Sequence, residues 1–184
     1  RPKPFQWLGK ILMKLSGWKI KGHISDYYEN KKFVAIVAPH TSNWDAVVGL
    51  SAIAAVDLKV YFIGKHTVFK GLLGKFMKYM GGIPVDRSKP GGLIQDLLNQ
   101  IKDKKNGLIG LAPEGTRSKV DEWKTGFLRI AKELNSGVVL VSIDFLKKEL
   151  VFGEEFKLSG NDKQDLLDIK KYYEAFTPRH IKNF

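Results

Sequence analysis

Cysteine is absent from this chain. That excludes disulfides, a thiolate metal site and a cysteine nucleophile, and it suits a reducing compartment. Long apolar runs are missing too. None approaches the roughly 18 residues that a membrane-crossing helix requires, so no helix is expected to span a bilayer. No secretory signal is visible in a chain that opens on Arg1 rather than Met. Histidine is scarce. Of four, His23, His66 and His180 stand at no ligand spacing from His40, which argues against a metal site. No repeat, low-complexity tract or linker interrupts the 184 residues, so residues 1–184 are expected to form a single domain.

Acidic residues are outnumbered, with 19 Asp and Glu against 31 Lys and Arg. The excess of +12 is confined to two blocks, residues 1–32 and 59–89, and the rest of the chain balances. Both blocks also carry large aliphatic side chains. Nucleic-acid binders concentrate positive charge, but they less often interleave it with so much aliphatic bulk. An anionic membrane surface deserves equal consideration with nucleic acid as the partner.

Residues 5–18 place Phe5, Leu8, Ile11, Leu12 and Leu15 at the i, i+3, i+4 spacing of a helical face, with Lys10 and Lys14 displaced from it. Residues 1–20 therefore read as an amphipathic docking segment. Residues 33–38 form a short apolar run that predicts a buried strand ending at Pro39-His40. Asn43 is a plausible N-cap for a helix over 44–55. Strands are predicted at 59–63, 83–85, 107–111, 138–145 and 149–158. Helical stretches are predicted at 67–80, 91–105, 126–135 and 163–176. Alternating strands and helices predict an α/β domain with a largely parallel or mixed central sheet flanked by helices.

Open α/β sheets place ligands beyond the carboxyl ends of their strands, and three segments fall there. In the first, His40-Thr41-Ser42-Asn43-Trp44-Asp45, the spacing works if His40 lies in the loop and Asp45 in the first helical turn. The carboxylate then folds back to orient the imidazole, which makes a base with its orienter. Ser42 lacks the Gly-x-Ser-x-Gly elbow of a serine nucleophile. The second segment is Gly82-Ile83-Pro84-Val85-Asp86-Arg87, and the third is Pro113-Glu114-Gly115-Thr116-Arg117. Each ends in an arginine beside a turn, which suits phosphate or carboxylate recognition. Turn chemistry with solvated charges explains any one segment, and explains all three together less well.

The three motifs in this order resemble the glycerolipid acyltransferase family, typified by 1-acylglycerol-3-phosphate O-acyltransferases. The resemblance covers roughly residues 33–143. Lys65, the 67–80 stretch and Lys124-x-Gly126 fall where that family carries similar residues. The family's fourth block usually has prolines in its strand, whereas 138–144 has none, a departure that bears on the substrate more than on the reaction.

The resemblance implies that His40 is the general base and Asp45 its orienter. It implies that Arg87 and Arg117 hold the acceptor's anionic head group, with Lys65 also on the substrate, and that Glu114, Gly115 and Thr116 floor the same pocket. The implied acceptor is a lysophospholipid. Acyl-CoA or acyl-carrier protein is the implied co-substrate, with no further cofactor and no acyl-enzyme. The implied place is peripheral, on the cytoplasmic face of a membrane. A lyso-amino-acid lipid acceptor, an acyl thioesterase and a non-catalytic basic binding module are the other readings open at this point.

Overall fold

The computed structural model describes residues 2–22, 31–86 and 92–184. Seven strands among these residues form one mixed sheet: β1 Lys19–Gly22, β2 Lys32–Ala38, β3 Val60–Lys65, β4 Gly82–Val85, β5 Gly107–Leu111, β6 Val138–Asp144 and β7 Glu149–Phe156. Their order across the sheet is β1-β7-β6-β2-β5-β3-β4. Strands β2 to β6 run parallel to their neighbours, and β7 turns back antiparallel to β6 with β1 alongside it. The carboxyl ends of β2, β3, β4, β5 and β6 therefore share one edge of the sheet.

Among the described residues, six α-helices accompany these strands: α1 Lys3–Ser16, α2 Asn43–Ala55, α3 Gly71–Tyr79, α4 Leu93–Ile101, α5 Gly126–Glu133 and α6 Asp162–Tyr173. The central strand β2 shows why its sequence is apolar almost throughout. Val34, Ile36 and Ala38 pack towards α4, α5 and α6, while Phe33 and Ala35 pack towards α1 and α2. A strand covered on both faces has no polar side to present.

The first helix packs on the rest of the protein by a stripe other than its leucines. Gly9 and Met13 are its buried residues. A Cβ at Gly9 would lie 2.5 Å from Ala55 N and 2.9 Å from Ser51 O, so the close crossing of α1 on α2 requires glycine there. Gln6 Nε2 donates to Asp57 Oδ2 at 3.1 Å just past the end of α2, and Phe5 meets Phe76 and Tyr79 of α3. Leu8, Leu12 and Leu15 remain exposed.

The 67–80 stretch is not one helix. His66–Phe69 is a 3-10 turn, Lys70 is extended, and only then does α3 begin. The Phe69 ring lies where Gly64 and Gly82 have no side chain; Cβ atoms there would stand 2.9 Å and 2.6 Å from it. Seating that ring in a glycine hollow fixes the break at Lys70. No described helix is long and apolar enough to cross a membrane.

Candidate active site

The first motif leaves the sheet at the end of β2 and turns directly into α2. Ser42, rather than Asn43, is the N-cap: its backbone is extended and its Oγ accepts from Trp44 N at 2.9 Å. The reason is reciprocal bonding. Asp45, at the third helical position, accepts from Ser42 N at 2.8 Å and completes a capping box with it. A sequence reading that looks only for a capping residue next to the apolar run cannot separate two adjacent candidates. The carboxylate three residues on from Ser42 is the signal that separates them.

Asp45 is doing more than capping. Its Oδ2 also accepts from Thr41 N at 2.7 Å, and the same oxygen lies 3.0 Å from His40 Nδ1. The carboxylate is almost fully buried, whereas the imidazole is about one-fifth exposed. Two backbone donors and the helix N-terminus satisfy the buried charge and hold it in place. With Nδ1–H donating to the carboxylate, Nε2 is the ring nitrogen left to accept a proton. That geometry is the one a general base and its orienter require.

The third motif closes under this loop from the end of β5. Glu114 is buried, and its Oε1 accepts from His40 N at 2.9 Å. Its Oε2 is also buried and has no hydrogen-bond partner among the described residues. Burial is the main cause that pushes the Glu114 carboxyl above its ordinary value of 4.5, against the lowering effect of its bond from His40. Gly115 has φ +66, and a Cβ on it would come within 3.0 Å of Lys124 Cε. This tight, left-handed corner returns the chain so that Lys124 N donates to Pro113 O at 2.8 Å.

The raised Glu114 group has a stability consequence with a definite sign. The native state keeps this proton at pH values where the unfolded chain has released it, so stability is lost as pH rises through the raised value. Glu114→Gln retains an oxygen for His40 N and removes the charge. Thermal melts between about pH 4 and 8 should therefore show the variant gaining on the native chain as pH rises. Glu114→Ala removes the acceptor as well, and should cost about 1–3 kcal/mol relative to Glu114→Gln at every pH.

The remaining motif residues are less gathered. Thr116 and Arg117 are exposed in the turn beyond Gly115, and Lys65 is exposed at the end of β3. Arg87, the arginine of the second motif, lies outside the described residues, as does His23. Glu114 also lines a cavity of about 180 Å³ with Val120, Trp123, Lys170, Glu174 and Phe184. His40 is not part of that lining. Among the described residues no three His, Asp or Glu side chains converge as a metal site requires.

Three supports of the His40 loop carry no motif. Tyr173 is fully buried at the end of α6 and donates to Ile36 O at 2.7 Å, with Val141 O at 3.3 Å. Burial holds its hydroxyl well above the ordinary tyrosine range, so it stays a donor. His180 N donates to Thr41 Oγ1 at 3.2 Å. Arg179 lies over the ring of Trp44. Only the aromatic character of 172–176 hints at the first of these in the sequence, and nothing local hints at the others.

An acyltransferase family model matches residues 19–145 of the chain. Two curated relatives are both named 1-acyl-sn-glycerol-3-phosphate acyltransferase. The protein of Bacillus subtilis (strain 168) is 30% identical over 100 residues, which is 53% of this chain and 49% of its own. The protein of Limnanthes douglasii is 28% identical over 139 residues, 72% of this chain and 47% of its own. The chain spans about half the length of the curated relatives it matches.

Proposed function

This chain belongs to the acyltransferase family, and from that membership we propose its reaction. It moves a fatty acyl group from acyl-CoA or acyl-carrier protein to the free hydroxyl of a lysophospholipid. The acceptor that the relatives' names favour is 1-acylglycerol-3-phosphate, which would yield phosphatidic acid. The observation that supports this most directly is the His40 Nδ1–Asp45 Oδ2 contact at 3.0 Å.

His40 Nε2 takes the proton of the acceptor hydroxyl as its oxygen attacks the thioester carbonyl carbon. The Asp45 carboxylate balances the imidazolium that forms. Collapse of the tetrahedral centre breaks the carbon–sulfur bond, and the departing thiolate takes the proton from His40. One ester is made and one thioester is consumed, with no acyl-enzyme. Glu114 acts through the His40 backbone and is a positioning residue. Arg87 and Arg117 are assigned to the acceptor's anionic head group, and Lys65 to substrate as well.

Such an acceptor resides in a bilayer, and the exposed face of α1 and α3 offers a way onto one. Leu15 is 81% and Leu72 84% exposed, joined by Trp7, Leu8, Leu12 and Leu73. Lys10, Lys14, Lys70, Lys75 and Lys78 stand exposed on the same two helices and their approach. Exposed apolar side chains interleaved with lysines along the chain suit the boundary of an anionic leaflet. The protein then works peripherally, on the membrane side that holds acyl-CoA or acyl-carrier protein, the cytoplasmic face.

The reaction is tested with one acyl-CoA and a panel of lysolipid acceptors, products read by mass. Transfer to lysophosphatidate, with acyl-CoA left intact when no acceptor is present, is the expected result. Consumption of acyl-CoA without acceptor would instead establish a thioesterase, because the same base can serve water.

A further inference from the structure

We propose that Arg179 is a phosphate-binding residue of this active site, supplied by the segment that follows α6. It lies outside the stretch that the family model matches. The assignment rests on the acyl-transfer reading for one point only, that the substrates carry phosphate esters.

The segment is pinned on both sides of Arg179. Phe145 N, just beyond β6, donates to Thr177 O at 2.8 Å. Pro178 is buried. His180 N donates to Thr41 Oγ1, inside the His40–Asp45 loop, at 3.2 Å. Arg179 is therefore held across the sheet edge where the base stands. Its guanidinium lies 5.1 Å from the Trp44 ring and 5.6 Å from the Phe145 ring. Phe145 is itself braced edge-on by Trp18, with ring centroids 5.0 Å apart.

Contact with two ring faces fixes the guanidinium but uses none of its N–H donors. Among the described residues no carboxylate pairs with it, and the side chain is exposed. An immobilised cation with unspent donors, next to the N-terminus of α2 and one residue from Asp45 through Trp44, is a preorganised anion site. Holding the fork still in advance lowers the entropy lost when a phosphate is gripped bidentately. The phosphate could come from the acyl donor or from the acceptor, and the two are separable.

Steady-state kinetics on the full chain, varying acyl-CoA and lysophosphatidate in turn, is the first arm. Arg179→Gln should raise the KM of whichever substrate it holds by about 10-fold with kcat within about twofold. Arg179→Lys should recover part of that loss, since it keeps charge without the planar fork. Lys182→Gln, the same charge change on the same segment, should leave both KM values unchanged. The second arm is calorimetric titration of CoA and of glycerol 3-phosphate onto the same proteins. If the native chain transfers to no acceptor, the proposed reaction falls. A titration that weakens in Arg179→Gln still upholds the anion site in that case. Unchanged KM values and unchanged titrations in Arg179→Gln overturn it. A native chain that binds neither compound, or a loss confined to vesicle binding or melting temperature, overturns it too.

Discussion

His40→Ala should leave the chain folded and lower the proposed acyl transfer by about 10²–10⁴-fold, the usual worth of a positioned general base. The fold survives because the His40 side chain is partly exposed and its backbone N–H, which Glu114 holds, is unchanged by the substitution. Near-normal turnover in a folded His40→Ala protein would sink the mechanism. Asp45 gives a graded control. Thr41 N, Ser42 N and His40 Nδ1 all converge on the one oxygen Oδ2, so the amide oxygen of Asp45→Asn can accept in its place. Geometry is then largely kept and only the charge that balances the imidazolium is lost. Turnover of Asp45→Asn should fall by less than that of His40→Ala, and Asp45→Ala should lose melting temperature as well as activity.

The proposed membrane attachment carries the second large expected effect. Exchanging Leu12, Leu15, Leu72 and Leu73 together for serine should weaken binding to anionic vesicles by about 10²–10³-fold. Each leucine withdrawn from the interface forfeits about 1 kcal/mol, part of the roughly 1.5–3 kcal/mol of full burial. Native binding should also fall with added salt, as lysine attraction to the leaflet is screened over about 8–10 Å. Point substitution is preferable to deleting α1. Met13 belongs to the core between α1, α2 and the sheet, and Gly9 seats the helix on α2. Removing the helix would uncover that core and confuse lost docking with lost folding. The four leucines touch solvent, so a melting temperature close to the native one is expected. Co-sedimentation that is unchanged in the substituted protein would show that this face does not dock.

The helix over residues 5–18 was legible because its apolar spacing is local, but that spacing gave no sign of which residues seat it on the protein. Leucines at helical spacing announce a face without saying whether protein or something else covers it. In this chain a glycine and a methionine make the contact with α2, because the close approach at Gly9 leaves no room for larger side chains. The break at Lys70 escaped periodicity for a related reason. The hollow that seats Phe69 is built from glycines on β3 and β4 as well as on α3.

What the sequence alone determined are the features that neighbours in the chain decide. Strand β2 is apolar on both faces, so it had to lie inside the sheet. His40 and Asp45 meet because a loop-to-helix turn of five positions brings them together, and the capping box with Ser42 makes that turn self-supporting. The order of the three motifs likewise needed no coordinates. Only the tertiary structure decided what stands around that pair. Glu114 reaches the His40 backbone across 74 residues, Tyr173 reaches Ile36 across 137, and His180 reaches Thr41 across 139. Contacts over such separations depend on which strands share an edge and where α6 returns the chain. Local periodicity holds no information on either, because the energy that selects them is the burial of whole faces rather than the pattern of any one segment.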